Sequence, residues 1–235
     1  MNNRSSAAPL AELLAPRFTV FAYDRRGRGD SGDTQPYAPE REFEDLEGLI
    51  DTAGGSAFVY GHSSGAALSI AVADRGASIE KLALYEPPFA VDDSHPPMPA
   101  DFVPRLRELA AEGRRGDAVE LFLTTGPGLP AEVVARFREA PMWAGFEAVA
   151  HTLAYDNEIV EPYMQGKPLP AEWSTSLTMP ALVTDGGNSP TWMQNTTRAL
   201  AGLLPNARHR SFEGQNHAVD PQQIAPVLTA FFAGG

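Results

Sequence analysis

An α/β architecture, a mostly parallel sheet covered by helices, is predicted for this chain by three observations. Short apolar runs alternate with helix-spaced segments along both ends of the sequence. The runs are nearly continuous in apolar residues, as strands buried on both faces require. Finally, 235 residues with 43% hydrophobic side chains are enough to build one sizeable core.

The elements follow in order. Phe18 to Tyr23 reads as the first strand, and residues 39 to 53 as a helix. Ala57 to Tyr60 reads as the next strand, followed by a helix over 65 to 75. Leu82 to Tyr85 is a third strand and Ala181 to Thr184 a fourth, with a helix over 190 to 204 after it. Ala207 to Phe212 is a weaker strand. The last helix spans 221 to 233, because Asp220 can cap and Pro221 suits the first helical position.

The alternation stops between residues 94 and 178. That stretch opens on His95-Pro96-Pro97-Met98-Pro99, and Pro162, Pro168, Pro170 and Pro180 punctuate its end. Inside it only helical spacing occurs, around 101 to 113, 116 to 124, 130 to 139 and 143 to 155. It is expected to be a helical insertion over the sheet, so that residues 1–93 and 179–235 form the two parts of one core. The alternative, a separate helical domain, is disfavoured because the sheet pattern resumes directly afterwards.

Composition narrows the function. The chain has no cysteine, which excludes thiolate nucleophiles, zinc–thiolate sites and iron–sulfur ligand sets and fits a reducing compartment. With 18 basic against 30 acidic residues the net charge is −12, a poor match to a phosphate backbone, so no nucleic-acid partner is expected. The opening, Met1-Asn2-Asn3-Arg4-Ser5-Ser6 and then Leu10-Ala11-Glu12-Leu13-Leu14, has no signal-like apolar run, and no segment approaches the ~20 apolar residues of a membrane span. A cytoplasmic location and no membrane partner are the expectations.

The chemistry concentrates in one motif. After the strand at 57–60 comes Gly61-His62-Ser63-Ser64-Gly65, and after it the small-residue helix Ala66-Ala67-Leu68-Ser69-Ile70-Ala71-Val72. This is G-x-S-x-G between a strand and a helix. A serine on so sharp a turn is backbone-strained, so Gly61 and Gly65 are expected to be small to avoid clashes. The turn lifts Ser63 Oγ from the strand end and aims a helix N-terminus at any oxyanion formed there.

A serine nucleophile needs a base. Of the five histidines, His62 lies inside the turn and is expected to point away, His95 and His151 belong to the insertion, and His209 sits within a strand. His217 lies in Phe212-Glu213-Gly214-Gln215-Asn216-His217, a loop expected over the carboxyl edge of the sheet, where Ser63 emerges.

With these pieces in this order the chain resembles the α/β-hydrolase fold superfamily, specifically a small esterase-like member with a helical lid. The resemblance covers nearly the whole sequence. It rests on Tyr23-Asp24-Arg25-Arg26-Gly27-Arg28-Gly29-Asp30-Ser31-Gly32, the Ser63 turn, Leu84-Tyr85-Glu86-Pro87-Pro88, Pro180-Ala181-Leu182-Val183 and Gly214-Gln215-Asn216-His217. It implies Ser63 as nucleophile, His217 as general base and the Ser64 backbone N–H as an oxyanion donor. The family's acid usually follows the strand ending near Thr184, but that turn here reads Gly186-Gly187-Asn188-Ser189-Pro190. Asp185 is the first candidate acid, and Glu86, where some relatives place theirs, is the second. Relatives also begin with two or three further strands and a loop supplying a second oxyanion N–H. This chain opens at about the helix containing Pro9 to Leu14, so those strands are expected to be absent and one sheet edge exposed.

Other motifs carry less. Asp24, Asp30 and Asp33 interleave with the arginines of the Gly-rich loop and no Lys-Ser/Thr follows, so it does not read as a nucleotide loop; Arg28-Gly29-Asp30 is part of that loop. Asp92-Asp93-Ser94-His95 reads as a solvated turn, so no metal site is expected. Met142, Trp143 and Phe146 in the insertion are the candidates to line an apolar pocket over Ser63. The reading is a cofactor-free serine hydrolase of small or medium apolar esters or related acyl bonds. The alternative is an impaired or non-hydrolytic protein of the same fold that binds a small apolar ligand. The sequence leaves the oligomeric state open.

Overall fold

Four parallel strands form one sheet in a computed structural model that describes residues 3–234. They are β1 (Ala57–His62), β2 (Ile79–Tyr85), β3 (Ala181–Gly186) and β4 (Ala207–Phe212), neighbours in that order. The register pairs His62 with Tyr85, Tyr85 with Thr184, and Gly186 with Phe212, so the carboxyl ends of all four strands lie along one edge. Side chains of β2 alternate between two cores. Leu82 and Leu84 face one, and Ala83 and Tyr85 the other.

On the first face lie α2 (Pro39–Thr52), α3 (Ser64–Asp74) and α10 (Thr191–Leu203). Helix α3 is deeply buried: Ala66, Ala67, Leu68, Ile70, Val72 and Ala73 are each at most 2% exposed. A helix apolar all round must be packed all round, and its alanines let α3 lie close to the sheet. On the second face lie α1 (Arg4–Leu14), capped by Asn3, and α11 (Pro221–Ala233). Helix α11 starts where the sequence places it, with the Asp220 side chain accepting from the Gln222 N–H at 2.9 Å.

Between β2 and β3 the α-helices among the described residues are α4 (Phe102–Ala111), α5 (Arg115–Thr125), α6 (Ala131–Arg138), α7 (Trp143–Ala148), α8 (Leu153–Val160) and the short α9 (Trp173–Ser176), with no strand among them. The helix expected over 143–155 is broken into α7, a 3₁₀ turn at Ala150–Thr152, and α8. Helix α8 bridges two cores. Leu153 and Ala154 pack within the insertion's own apolar cluster, whereas Ile159 and Val160 pack onto the sheet side.

One expected strand is not a strand. Phe18 to Tyr23 has no ladder partner among the described residues. The Phe18 ring meets Phe58 and Phe232 edge-on at 6.4 and 6.1 Å, but Thr19 to Ala22 are exposed. Apolar composition favours extended backbone, yet a strand exists only where a neighbour accepts and donates its backbone hydrogen bonds. The sheet's two edges therefore differ. Strand β4 presents exposed Arg208 and Arg210, whereas β1 presents Phe58, 38% exposed.

Candidate active site

Ser63 sits between β1 and α3 with φ 56° and ψ −127°, in the left-handed half of backbone space that a side chain disfavours. Two kinds of contact hold it there. Its N–H donates to the Tyr85 carbonyl at 2.9 Å, and its carbonyl accepts from Ala66 and Ala67 in the first turn of α3 at 2.8 and 3.2 Å. The steric demand falls on one glycine. A Cβ on Gly61 would lie 2.6 Å from both Ala66 Cα and the Gly65 carbonyl oxygen, while one on Gly65 would meet nothing within 4 Å. The expectation that both glycines are required is corrected: Gly65 is already helical, with its Cβ direction turned to open space.

His217 lies five residues beyond the end of β4, and its Nδ1 is 2.6 Å from Glu86 Oε2. Glu86 immediately follows β2. It is fully buried, and with φ 46° it is the other non-glycine residue in left-handed space among the described residues. Its second oxygen, Oε1, accepts the Gly186 N–H at 2.8 Å. Both carboxylate oxygens are thereby satisfied, as a buried carboxylate requires. Because the acceptor at Nδ1 is a carboxylate, the imidazole carries its proton on Nδ1 and leaves Nε2 as the basic nitrogen.

Asp185 has other partners. Its Oδ1 accepts from Ser211 at 2.6 Å and its Oδ2 from Thr197 at 2.6 Å and from His209. The side chain lies inside the sheet under α10, completely buried, with no hydrogen bond to His217. The physical reason is register: Asp185 is still paired within β3, opposite Ser211, so it cannot bend over the sheet edge.

His62 meets the loop that carries His217. Its Nε2 lies 2.8 Å from the His217 carbonyl oxygen, and its ring meets the rings of Tyr85 and His217 edge-on at 5.1 and 4.9 Å. Since a carbonyl only accepts, Nε2 is the donor. Burial, with His217 nearby, pushes the His62 pKa down to about 3. The Tyr85 hydroxyl donates to the Asn216 carbonyl at 2.6 Å.

A polar network adjoins the turn. Ser64 Oγ donates to Asp156 Oδ1 at 2.9 Å and accepts from Arg25 Nη1 at 3.1 Å, and Arg25 Nη1 is 2.8 Å from the same Asp156 oxygen. Arg25 also pairs with Glu42, and Arg28 Nη2 lies 2.7 Å from Asp156 Oδ1 as an ion pair without the alignment of a hydrogen bond. Burial opposes the Arg25 charge, but Asp156 and Glu42 outweigh it and hold the guanidinium protonated. Burial likewise opposes the Asp156 charge, and Arg28 and Arg25 outweigh it, holding the carboxyl well below its usual range. Among the described residues no group of three or more His, Asp or Glu side chains is placed to hold a metal.

Of the three insertion residues expected over Ser63, Trp143 and Phe146 pack within the insertion and Met142 is exposed. Trp143 is 5% exposed inside the insertion's own core, edge-on to Phe146 at 6.3 Å, and Met142 is 50% exposed at the start of α7. The apolar character of Trp143 and Phe146 is used to join α7 to the rest of the insertion.

A parallel sheet with helices on both faces, carrying a strained serine between a strand and a helix, defines the α/β-hydrolase fold. The chain belongs to the alpha/beta hydrolase family, whose model matches residues 4–227. It is similar in structure to an alpha/beta hydrolase from Sphaerobacter thermophilus DSM 20745, with 55% identity, TM-score 0.92, and coverage of 99% of this chain and 89% of that one. The enol-lactonase of Burkholderia xenovorans LB400 shares the fold at 24% identity and TM-score 0.71, covering 98% and 86% of the two chains. A thermophilic esterase from Thermogutta terrifontis does so at 20% identity and TM-score 0.69, covering 98% and 85%. No curated protein matches the chain. No helix among the described residues is long and apolar enough to cross a membrane.

Proposed function

We propose that the protein is a serine hydrolase that cleaves a small or medium apolar ester, or a related acyl bond, through an acyl-enzyme on Ser63. The observation that carries this reading is the 2.6 Å bond between His217 Nδ1 and buried Glu86, on the same sheet edge as the strained Ser63. In this scheme His217 Nε2 takes the proton as Ser63 Oγ attacks the carbonyl carbon. Glu86 holds the tautomer and stabilises the imidazolium, the role of the acid in such triads. The oxyanion faces the Ser64 N–H at the start of α3, where the helix dipole favours negative charge. Collapse expels the alcohol, which takes the proton from His217. Water, deprotonated by the same nitrogen, then releases the acid and restores Ser63. Glu86 is assigned as the acid in preference to Asp185, whose oxygens already serve Thr197, Ser211 and His209.

The names of two fold neighbours, an enol-lactonase and an esterase, agree with chemistry at an ester carbonyl. The helical insertion over α3 is read as the lid. The test is intact-mass and peptide mapping after exposure to a fluorophosphonate, which labels serines activated by a nearby base. Labelling at Ser63 that disappears in His217→Ala is the expected result, followed by turnover of p-nitrophenyl esters. Well-folded protein that stays unlabelled would overturn the reading and favour a ligand-binding protein on this fold.

A further inference from the structure

Ser64 Oγ is held from two directions by residues far away in sequence. Asp156 comes from α8 of the insertion, 92 residues on, and Arg25 from the loop after Tyr23, 39 residues back. Helix α8 is itself seated on residues 25–42. The Tyr155 ring stacks on Tyr37 at 3.9 Å and 3°, the Tyr155 hydroxyl donates to Asp33 at 2.9 Å, and Arg28 Nε donates to Thr152 at 3.0 Å. Thus insertion, loop and turn meet in hydrogen bonds at the Ser64 hydroxyl.

The contact matters because of what Ser64 is. As the first residue of α3, its backbone N–H has no partner within the helix. The peptide plane carrying that N–H begins at Ser63, whose positive φ is a strained conformation for a residue with a side chain. Ser63 is tied on its N-terminal side to Tyr85, and the carbonyl of the shared plane to Ala66 and Ala67. The side chain of Ser64 is the tether on the far side. Without it, the direction of the N–H rests on those backbone contacts alone.

We propose that Asp156 and Arg25 are positioning residues which, by gripping Ser64 Oγ, fix the direction of the Ser64 N–H, so that the oxyanion donor is in place only while α8 is seated. This rests on the reading of Ser63 as nucleophile. It adds that the insertion contributes to the chemical step and does not only cover the site.

The test is the rate of Ser63 phosphonylation by a fluorophosphonate, in which the Ser63 Oγ–P bond forms, the P–F bond breaks, fluoride leaves and His217 takes the proton. The maximal rate and the half-saturating probe concentration are measured separately, at a temperature where every variant is fully folded. Ser64→Ala keeps the backbone N–H and all the arginine–carboxylate pairs. It is expected to lower the maximal rate about tenfold or more with half-saturation unchanged, since small misplacements of reacting groups cost up to about 10²-fold. Ser64→Thr, which retains the hydroxyl, is expected to restore most of it. Asp156→Asn is expected to slow the wild-type background and to add nothing in the Ser64→Ala background. If that variant fails to fold, the two Ser64 variants decide. Wild-type protein that labels normally together with Ser64→Ala at an equal rate would overturn the inference alone, even if the melting temperature falls. Unlabelled wild type would overturn the underlying reading of Ser63.

Discussion

His62 donates through Nε2 to the main-chain carbonyl of His217, 2.8 Å away, so the residue before the proposed nucleophile holds the backbone of the proposed base. Tyr85 does the same one residue earlier, through Asn216. Two rigid strand ends therefore set the height of a half-exposed loop above the sheet.

This bond has a pH signature. The folded His62 pKa lies near 3, against an ordinary value of 6.5, because burial and His217 oppose its charge. Between those values the unfolded chain binds a proton that the folded chain refuses, so stability falls as pH drops below 6.5 and the loss is complete near 3. His62→Asn keeps a donor and removes the titration. Between pH 7 and pH 4.5 the wild type is expected to lose about 2–3 kcal/mol more than this variant, measured by urea unfolding at both pH values. Equal losses would mean that His62 is charged in the fold.

The two buried carboxylates separate cleanly. Glu86→Gln removes the charge beside His217 and lets the amide present the wrong hydrogen-bonding group to Nδ1, so kcat on a p-nitrophenyl ester is expected to fall about 10³- to 10⁴-fold. Asp185→Asn disturbs bonds to Thr197, Ser211 and His209. It is expected to cost about 1–3 kcal/mol of stability and to leave kcat essentially unchanged. The reverse pattern would return the acid to Asp185.

Gly61 and Gly65 look equivalent in the motif and are not. Gly61→Ala drives a Cβ into the backbone at Ala66 and Gly65, and loss of folded protein or of Ser63 labelling is expected. Gly65→Ala places a better helix former at an open helical position. It is expected to raise stability by about 0.5–1 kcal/mol, seen as a higher Tm with labelling retained.

Trp143→Ala empties a site inside the insertion's core and is expected to cost about 3–5 kcal/mol. The relative rates on p-nitrophenyl esters of increasing acyl length are expected to keep their order. A reordered series would put Trp143 against the acyl group after all.

What the sequence states locally, the structure repeats. The strand–Ser63–helix turn and the Asp220-Pro221 start of α11 depend on neighbours a few residues away, and four of the five strands are marked by their own continuous apolar runs although their partners are distant. The errors arise where a distant partner decides. Phe18 to Tyr23 has a strand's composition and no ladder. Asp185 stands nearest the expected turn, but pairing with Ser211 keeps it within β3. Glu86 and His217 are 131 residues apart, and only the register of β2, β3 and β4 brings them to one edge. The grip of Asp156 and Arg25 on Ser64 had no signal in the sequence beyond three polar residues in separate segments. The role of His62 depends on a loop 155 residues away, which its place inside the turn does not signal.

The arginines of β4 and the partly exposed phenylalanine of β1 make the two edges of the sheet chemically unlike. An approaching strand meets two guanidinium groups on the β4 side and must strip their water before it can pair. On the β1 side it meets an aromatic ring and an unopposed row of amides and carbonyls. Of the two edges, that of β1 is therefore the less guarded by charge. The Ser63 turn is carried by that same strand, so any added neighbour would stiffen the end of the molecule where the nucleophile is proposed to stand.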